Sequence, residues 1–116
     1  MNVMIVDPDQ GEQKTLQGLL TRIYESVDIK SFADPLMAIK YGANNPVDVL
    51  YAATAMRRVN GFELGKILRN FHPGIKLNFI ADDEKEKTDA MRLMAESCIL
   101  RPITAESLSP AEYDDW

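Results

Sequence analysis

Charged side chains stand at two points of the chain where a short apolar run ends. Asp7 and Asp9 follow the first of these runs, and Arg101 follows the last. Carboxylates can ligate Mg²⁺ or attack phosphorus, and a guanidinium pairs with carboxylates and phosphates. The middle run ends in Ala53 and Thr54 instead. That strand end therefore carries no carboxylate nucleophile.

Five short apolar or β-branched runs alternate with helical patterns. They predict strands over residues 2–6, 27–32, 47–52, 75–80 and 98–100. Leu16, Leu19, Leu20 and Ile23 recur at the spacing of one helix face. Asp34-Pro35 is typical of a helix start, with a capping carboxylate before a proline in the first turn.

Further helices are predicted over residues 34–43, 61–71 and 84–96, and Thr104 is expected to cap a last one. Met91 and Met94 are expected on the inner side of helix 84–96. Strands that alternate with single helices indicate a doubly wound α/β domain with a parallel sheet. In such a sheet the functional crevice lies at the carboxyl ends of the strands.

Composition narrows the classes of function. The net charge of -5 does not favour contact with phosphate backbones or anionic lipid. We therefore expect neither direct nucleic-acid binding nor membrane binding. Cys98 is the single cysteine, which excludes an internal disulfide and favours a cytoplasmic location. We predict one domain over residues 1–108 and a short acidic tail that can fray over 109–116.

The order and spacing of several strings resemble the receiver domain of two-component response regulators. These strings are MIVD, SFADPLMAI, NPVDVLY, MRRVNGFELGKIL and LRPI. The resemblance covers nearly the whole chain. It implies the CheY-like, flavodoxin-like fold, with five parallel strands in the order 2-1-3-4-5.

The resemblance also assigns the phosphorylation site to six positions. In this chain they are Asp7, Pro8, Ala53, Ala81, Arg101 and Pro102. The family's nucleophilic aspartate falls on Ala53, and its Thr or Ser falls on Ala81. The second metal-binding acid falls on Pro8, and the lysine is replaced by Arg101. The resemblance thus implies a degenerate receiver, or pseudo-receiver, that has lost its reaction.

Substitutes for the missing groups are possible in principle. Asp48 is the nearest acid to the third strand's end, but it stands at the start of that strand, and Thr54 lacks a base. Asp7 and Asp9 could form at most a weak Mg²⁺ site, so we expect no metal or other cofactor. We expect Asp9 to cap the first helix and Arg101 to pair with Asp7.

The expected function is that of a protein-interaction or dimerisation module in phosphorelay signal transduction or transcription regulation, and not that of an enzyme. The resemblance places the contact surface on the fourth helix, fifth strand and fifth helix, through which a homodimer or another protein would bind. Its predicted residues are Lys87, Met91, Ile99, Ile103 and Leu108, with the alternative that some of the apolar ones belong to the core. The alternative is a small-molecule or anion sensor that uses the vacated crevice, with Arg101 as an anchor.

Overall fold

The computed structural model describes residues 1–108 of the chain. Its strands are β1 (Asn2–Val6), β2 (Asp28–Phe32), β3 (Val49–Ala53), β4 (Lys76–Ala81) and β5 (Ser97–Leu100). Its helices are α1 (Gln10–Ile23), α2 (Pro35–Asn44), α3 (Gly61–Phe71), α4 (Lys87–Arg92) and α5 (Ala105–Leu108), and a 3₁₀ turn covers Glu84–Glu86. The predicted tail, 109–116, lies outside the described residues, so the domain boundary stays a prediction.

The five strands form one parallel sheet in the order β2-β1-β3-β4-β5, which confirms the predicted fold. Helices cover both faces. Leu16 and Leu20 of α1 pack with Ile5 and Tyr51 on one face, and Leu64 and Leu68 of α3 lie in the core of the other. Because parallel strands are buried on both faces, β3 is apolar throughout.

Local capping signals begin the helices as predicted. The Asp34 carboxylate accepts a hydrogen bond from the Leu36 backbone N–H at 2.9 Å, directly before Pro35. The Thr104 hydroxyl accepts one from the Ser107 backbone N–H at 3.2 Å. Such bonds satisfy backbone donors that have no partner within the helix, so they fix where each helix starts.

Helix α4 is shorter than predicted and presents a different side to solvent. The prediction of a helix over 84–96 with Met91 and Met94 inward is wrong, because the helix spans Lys87–Arg92 and these methionines are 76% and 83% exposed. Met94 takes φ 56°, and its N–H bonds back to the Met91 carbonyl at 2.9 Å. A left-handed residue at this position ends an α-helix.

Candidate functional site

The carboxyl edge of the sheet is organised around Arg101, directly after β5. Its backbone N–H donates to the Ala81 carbonyl at 3.1 Å, which holds the end of β5 against the end of β4. The bond between Arg101 and Pro102 is cis. The Arg101 side chain is 21% exposed, so it reaches inward along the edge and not into solvent.

Three carboxylates surround the Arg101 guanidinium. Its Nη2 donates a hydrogen bond to Asp7 Oδ2 at 2.9 Å, which confirms the predicted pairing across the crevice. Its Nη1 lies 3.0 Å from Glu12 Oε1, and its Nε lies 3.1 Å from Asp82 Oδ1. Among the described residues Nη1 makes no hydrogen bond, because the angle to Glu12 is unfavourable; the two groups form an ion pair.

Sequence reasoning missed Glu12 and Asp82. Glu12 lies in the first turn of α1, and Asp82 directly follows β4. The carboxyl ends of parallel strands meet at one edge of the sheet, so the placement of Asp82 after a predicted strand was the available signal. That both acids contact one guanidinium depends on loop geometry, which no spacing in the chain encodes.

The carboxylates around Arg101 outweigh the electrostatic cost of its burial. Burial by itself lowers the pKa of Arg101, but the hydrogen bond to Asp7 and the charges of Asp7, Glu12 and Asp82 outweigh it, so the pKa is raised. The Asp7 side chain is only 3% exposed, and a buried charge is tolerated only when it is paired and hydrogen-bonded. Arg101 therefore supplies the countercharge that allows a carboxylate in this position.

Both acids after β1 have structural partners. Asp7 Oδ1 accepts a hydrogen bond from the Asp9 backbone N–H at 3.0 Å, while its other oxygen faces Arg101. Asp9 Oδ1 accepts from the Glu12 backbone N–H at 3.1 Å, which confirms Asp9 as the cap of α1. These residues hold the start of α1 against the end of β1.

The same contacts make the edge a poor fit for Mg²⁺. A hard cation needs several free oxygen ligands, whereas both Asp7 oxygens are engaged and the next position is Pro8. Across residues 1–108, groups of three or more acidic, histidine or cysteine side chains arranged to hold a metal do not occur. The guanidinium occupies the place between the carboxylates where a cation would neutralise them.

The floor of the crevice is hydrocarbon. Ala53 at the end of β3 is 2% exposed, and Ala81 at the end of β4 is fully buried. Asp48 lies at the opposite edge of the sheet, where its carboxylate accepts from the Asn2 backbone N–H at 2.7 Å. Asp48 is thus no substitute nucleophile.

Thr54 carries a hydroxyl directly after β3, and no base within residues 1–108 activates it. It is 3% exposed, and its Oγ1 has no hydrogen-bond partner among residues 1–108. A hydroxyl becomes a nucleophile only with a base in hydrogen-bond reach. The Thr54 backbone has a structural role. Its N–H donates to the Ile80 carbonyl, and its carbonyl accepts from the Gly61 N–H, both at 3.0 Å.

Gly61 permits the close return of the chain from this strand end. A Cβ at position 61 would lie 2.3 Å from the Ala53 carbonyl oxygen, well inside van der Waals contact. Asn60 and Glu63 form a reciprocal capping box that starts α3 directly after the loop. The loop over residues 54–60 is therefore fixed at both ends.

The predicted interaction surface is only partly at the surface. Ile99 and Ile103 are 4% and 7% exposed, so their prediction as surface residues is wrong. Both belong to the core that packs α1 against the sheet: Ile99 lies within β5, and Ile103 lies in the segment between β5 and α5. Leu108 is half-buried against the same core. Met91 is exposed, as is Met94, which the prediction did not include.

A cleft of about 200 Å³ adjoins these methionines. Its lining joins α4 to the start of β5 and comprises Lys87, Ala90, Met91, Ala95, Glu96, Ser97 and Cys98. Burial, with a smaller contribution from the charge of Glu86, raises the pKa of the Cys98 thiol. Since the thiolate is the reactive form, this cysteine is less reactive than a solvent-exposed one.

A doubly wound sheet with this strand order has its functional crevice at the carboxyl edge, which is where Arg101 and its carboxylate partners lie. Residues 3–111 match the family described as the response regulator receiver domain. The chain belongs to this family, whose members act in two-component signalling.

Solved structures share the fold. The response regulatory domain of protein mrkE from Klebsiella pneumoniae is 25% identical with a TM-score of 0.84, and the match covers 93% of this chain and 88% of that one. The chemotaxis protein CheY4 from Vibrio cholerae is 17% identical with a TM-score of 0.80, covering 97% and 95%. A response regulator from Burkholderia pseudomallei is 16% identical with a TM-score of 0.80, covering 95% and 65%. The comparison with curated proteins gave no match.

The helices of residues 1–108 include none that is long and apolar enough to cross a membrane.

Proposed function

We propose that this receiver domain is a pseudo-receiver, which acts without phosphorylation as a protein-interaction module in phosphorelay signalling or transcription control. It is not an enzyme in this proposal. The observation that carries the proposal is the pairing of Arg101 with Asp7, Glu12 and Asp82 above a floor that contains Ala53.

Two physical reasons support the absence of phosphorylation. An acyl phosphate requires a carboxylate nucleophile, and the end of β3 offers a methyl group at Ala53. A phosphoryl group also requires cationic partners, and the charge of Arg101 is already compensated by carboxylates. The Burkholderia relative, in contrast, is described with a phosphorylated aspartic acid and a calcium ion.

Incubation with acetyl phosphate and Mg²⁺ tests this part of the proposal. We expect the intact mass of the protein to stay unchanged under conditions that label a receiver with an aspartate nucleophile. A gain of one phosphoryl group, mapped to an acidic residue by peptide mass spectrometry, would overturn the proposal.

The surface around α4 supports self-association as the mode of interaction. Met91 and Met94 are 76% and 83% exposed beside a cleft, and exposed apolar groups next to a cavity favour protein contacts. Lys87 and Glu96 line the same cleft with opposite charges. In a two-fold dimer the same surface of each copy forms the interface. Lys87 of one copy can therefore approach Glu96 of the other.

Sedimentation equilibrium tests the dimer. We expect self-association in the micromolar range, weakened about tenfold or more in the double variant Met91→Gln/Met94→Gln, because each buried methionine contributes roughly 1 kcal/mol or more. The matched control is Leu36→Gln/Met37→Gln, which removes apolar groups that are 42% and 54% exposed on α2. A monomer at every concentration, or equal loss in both double variants, would contradict this surface.

Alkylation of Cys98 gives an independent measurement of the same contact. Cys98 is half-buried and lines the cleft with Met91. A dimer through this surface should slow alkylation at high protein concentration relative to low concentration. A rate that is independent of concentration, in a sample shown to be dimeric, would place the dimer contact elsewhere.

An anion sensor anchored by Arg101 is less well supported. Each of its three guanidinium nitrogens lies within 3.1 Å of a carboxylate oxygen. An incoming anion would have to displace these partners and tolerate their charge. The crevice at Arg101 therefore favours a structural part for this residue.

A further inference from the structure

A larger cleft lies beside the Arg101 crevice, where the order of the strands reverses. We call it the β1–β3 cleft. It has a volume of about 580 Å³ and is formed by the loops that follow β1, β2 and β3. Small-molecule sites commonly have volumes of roughly 300–1,000 Å³. In doubly wound sheets, ligands bind outside the carboxyl ends of the strands at the point of reversal, here between β1 and β3.

Most of the lining of the β1–β3 cleft is apolar. The apolar residues are Pro8, Ala33, Pro35, Ala55 and Met56. They come from three separate loops, so the cleft is a property of the folded chain and not of one segment. Hydrocarbon on several sides favours a ligand with an apolar body over a bare inorganic ion.

The charged lining is mostly cationic. Arg57 and Arg58 line the cleft, and within residues 1–108 neither side chain has an ion pair or hydrogen bond. Asp34 also lines it, but one of its oxygens accepts the hydrogen bond that caps α2. Unlike Arg101, these two guanidinium groups remain available to an anion in a protein with a net charge of -5.

The backbone fixes the loop that carries the two arginines. Arg58 takes φ 70°, and the Val59 N–H donates to the Arg57 carbonyl at 2.8 Å, which closes a three-residue turn. A turn of this kind with positive φ is rare and strained in residues other than glycine. The turn sets the backbone positions of Arg57 and Arg58, whose exposed side chains line the cleft.

We propose that the β1–β3 cleft binds a small organic anion: an aromatic or aliphatic body against the apolar lining, with a carboxylate, sulfonate or phosphate at Arg57 and Arg58. This ligand site goes beyond the proposed interaction function and does not depend on it. The dimer surface around α4 is formed by other residues, so either proposal can fail without the other.

The probe is 8-anilinonaphthalene-1-sulfonate, which joins an aromatic body to one sulfonate and fluoresces when it leaves water. We expect saturable binding at one site of the folded protein. The variant Arg57→Gln/Arg58→Gln should weaken binding about tenfold or more, because charge-assisted hydrogen bonds to the sulfonate are lost. The matched control Arg22→Gln/Arg92→Gln removes the same charge from two exposed arginines of α1 and α4.

Equal weakening in both double variants would reduce the effect to net charge and overturn the site. Neutral 1-anilinonaphthalene should bind more weakly than the sulfonate, and inorganic phosphate should bind more weakly still. Equal affinity of the neutral compound would show a merely apolar cleft. Equal affinity of inorganic phosphate would show that the apolar lining contributes nothing.

Two further measurements locate the probe. Ala33→Trp places a large side chain in the cleft at an exposed position, so the fold should persist while binding is lost. In amide NMR spectra, the probe should shift the signals of Ala33, Asp34 and Leu36 and of residues 55–58. Shifts confined to residues 87–98 would place the probe in the cleft beside α4 and would overturn the proposal.

Discussion

Arg101 forms the centre of an ion-pair network at the carboxyl edge of the sheet. A planar guanidinium presents several donors, so one side chain can face Asp7, Glu12 and Asp82 together. A lysine ammonium also has three donors, but all of them lie on one nitrogen at the end of a flexible stem, so it lacks the rigid fork that spans separate carboxylates. The exchange of lysine for arginine therefore changes what this position can do, although the charge is kept.

Removal of the Arg101 charge should destabilise the domain. We expect Arg101→Met to lower the free energy of unfolding by about 3 kcal/mol, because it leaves the Asp7 carboxylate buried without its countercharge. Arg101→Lys should cost about 1 kcal/mol. Urea unfolding at pH 7 measures both.

The control for these variants is Arg92→Met. Arg92 lies 3.7 Å from Asp89 in an exposed pair, and such pairs contribute little to stability. A cost for Arg92→Met as large as that for Arg101→Met would contradict the network as the cause.

Tyr51 should make the free energy of unfolding depend on pH in the alkaline range. Burial, and to a lesser extent Tyr24, raises the pKa of Tyr51 above its usual 10.0. Since the folded state holds this proton more tightly than the unfolded state does, the contribution is complete below pH 10 and is lost as the pH rises above it. We expect the unfolding free energy to fall more steeply above pH 10 in the wild type than in Tyr51→Phe. Tyr41→Phe serves as the control, and equal slopes for wild type and Tyr51→Phe would refute the assignment.

At the scale of the element, α4 is defined by how it ends. The Ala95 N–H donates to the Ala90 carbonyl at 3.1 Å and the Met94 N–H to the Met91 carbonyl at 2.9 Å, the pair of bonds of a Schellman motif. Glycine is the usual residue at the left-handed position, which Met94 occupies here with φ 56°. Met94 is thus both strained in its backbone and exposed in its side chain.

Met94→Gly should therefore stabilise the monomer. Left-handed conformation costs a residue with a side chain roughly 1–2 kcal/mol, and the greater unfolded-state freedom of glycine offsets part of this gain. We expect a net increase of about 0.5–1 kcal/mol in unfolding free energy, measured at a concentration where the protein is monomeric. Met94→Ala removes the thioether but keeps Cβ, so a similar gain in that variant would show that conformational strain is not the cause.

At the scale of the whole molecule, the proposed absence of phosphorylation rests on several strand ends together. We expect Ala53→Asp alone to leave the protein unlabelled by acetyl phosphate with Mg²⁺, because Pro8, Ala81 and the compensated Arg101 still lack the required groups. The combination Pro8→Asp, Ala53→Asp, Ala81→Thr and Arg101→Lys should gain one phosphoryl mass.

Circular dichroism must show that these variants stay folded, since Ala53 and Ala81 are 2% and 0% exposed. Labelling of the single Ala53→Asp variant would mean that the missing carboxylate was the sole defect. An unlabelled but folded combination would mean that the positions were assigned wrongly.

The alternation of strands and helices was predictable because its sequence signals are local and recur along the chain. The spacing of Leu16 and Leu20 gave the buried face of α1, and the Asp34-Pro35 pair gave the start of α2. The end of α4 was not predictable, because Met94 in a left-handed conformation carries no propensity signal. Ile99 and Ile103 were predicted at a surface because apolar residues near a contact face and core residues look alike in sequence.

The sequence alone determined which chemical groups stand at the strand ends: a methyl where a nucleophile would be needed, and a guanidinium after the last strand. These facts are covalent and do not depend on conformation. Only the tertiary structure decided that Glu12 and Asp82 join Asp7 around Arg101, while Arg57 and Arg58 line an open cleft and have no side-chain partner within residues 1–108. The reason is that ion pairs between distant segments depend on loop geometry and burial, which the whole folded chain sets.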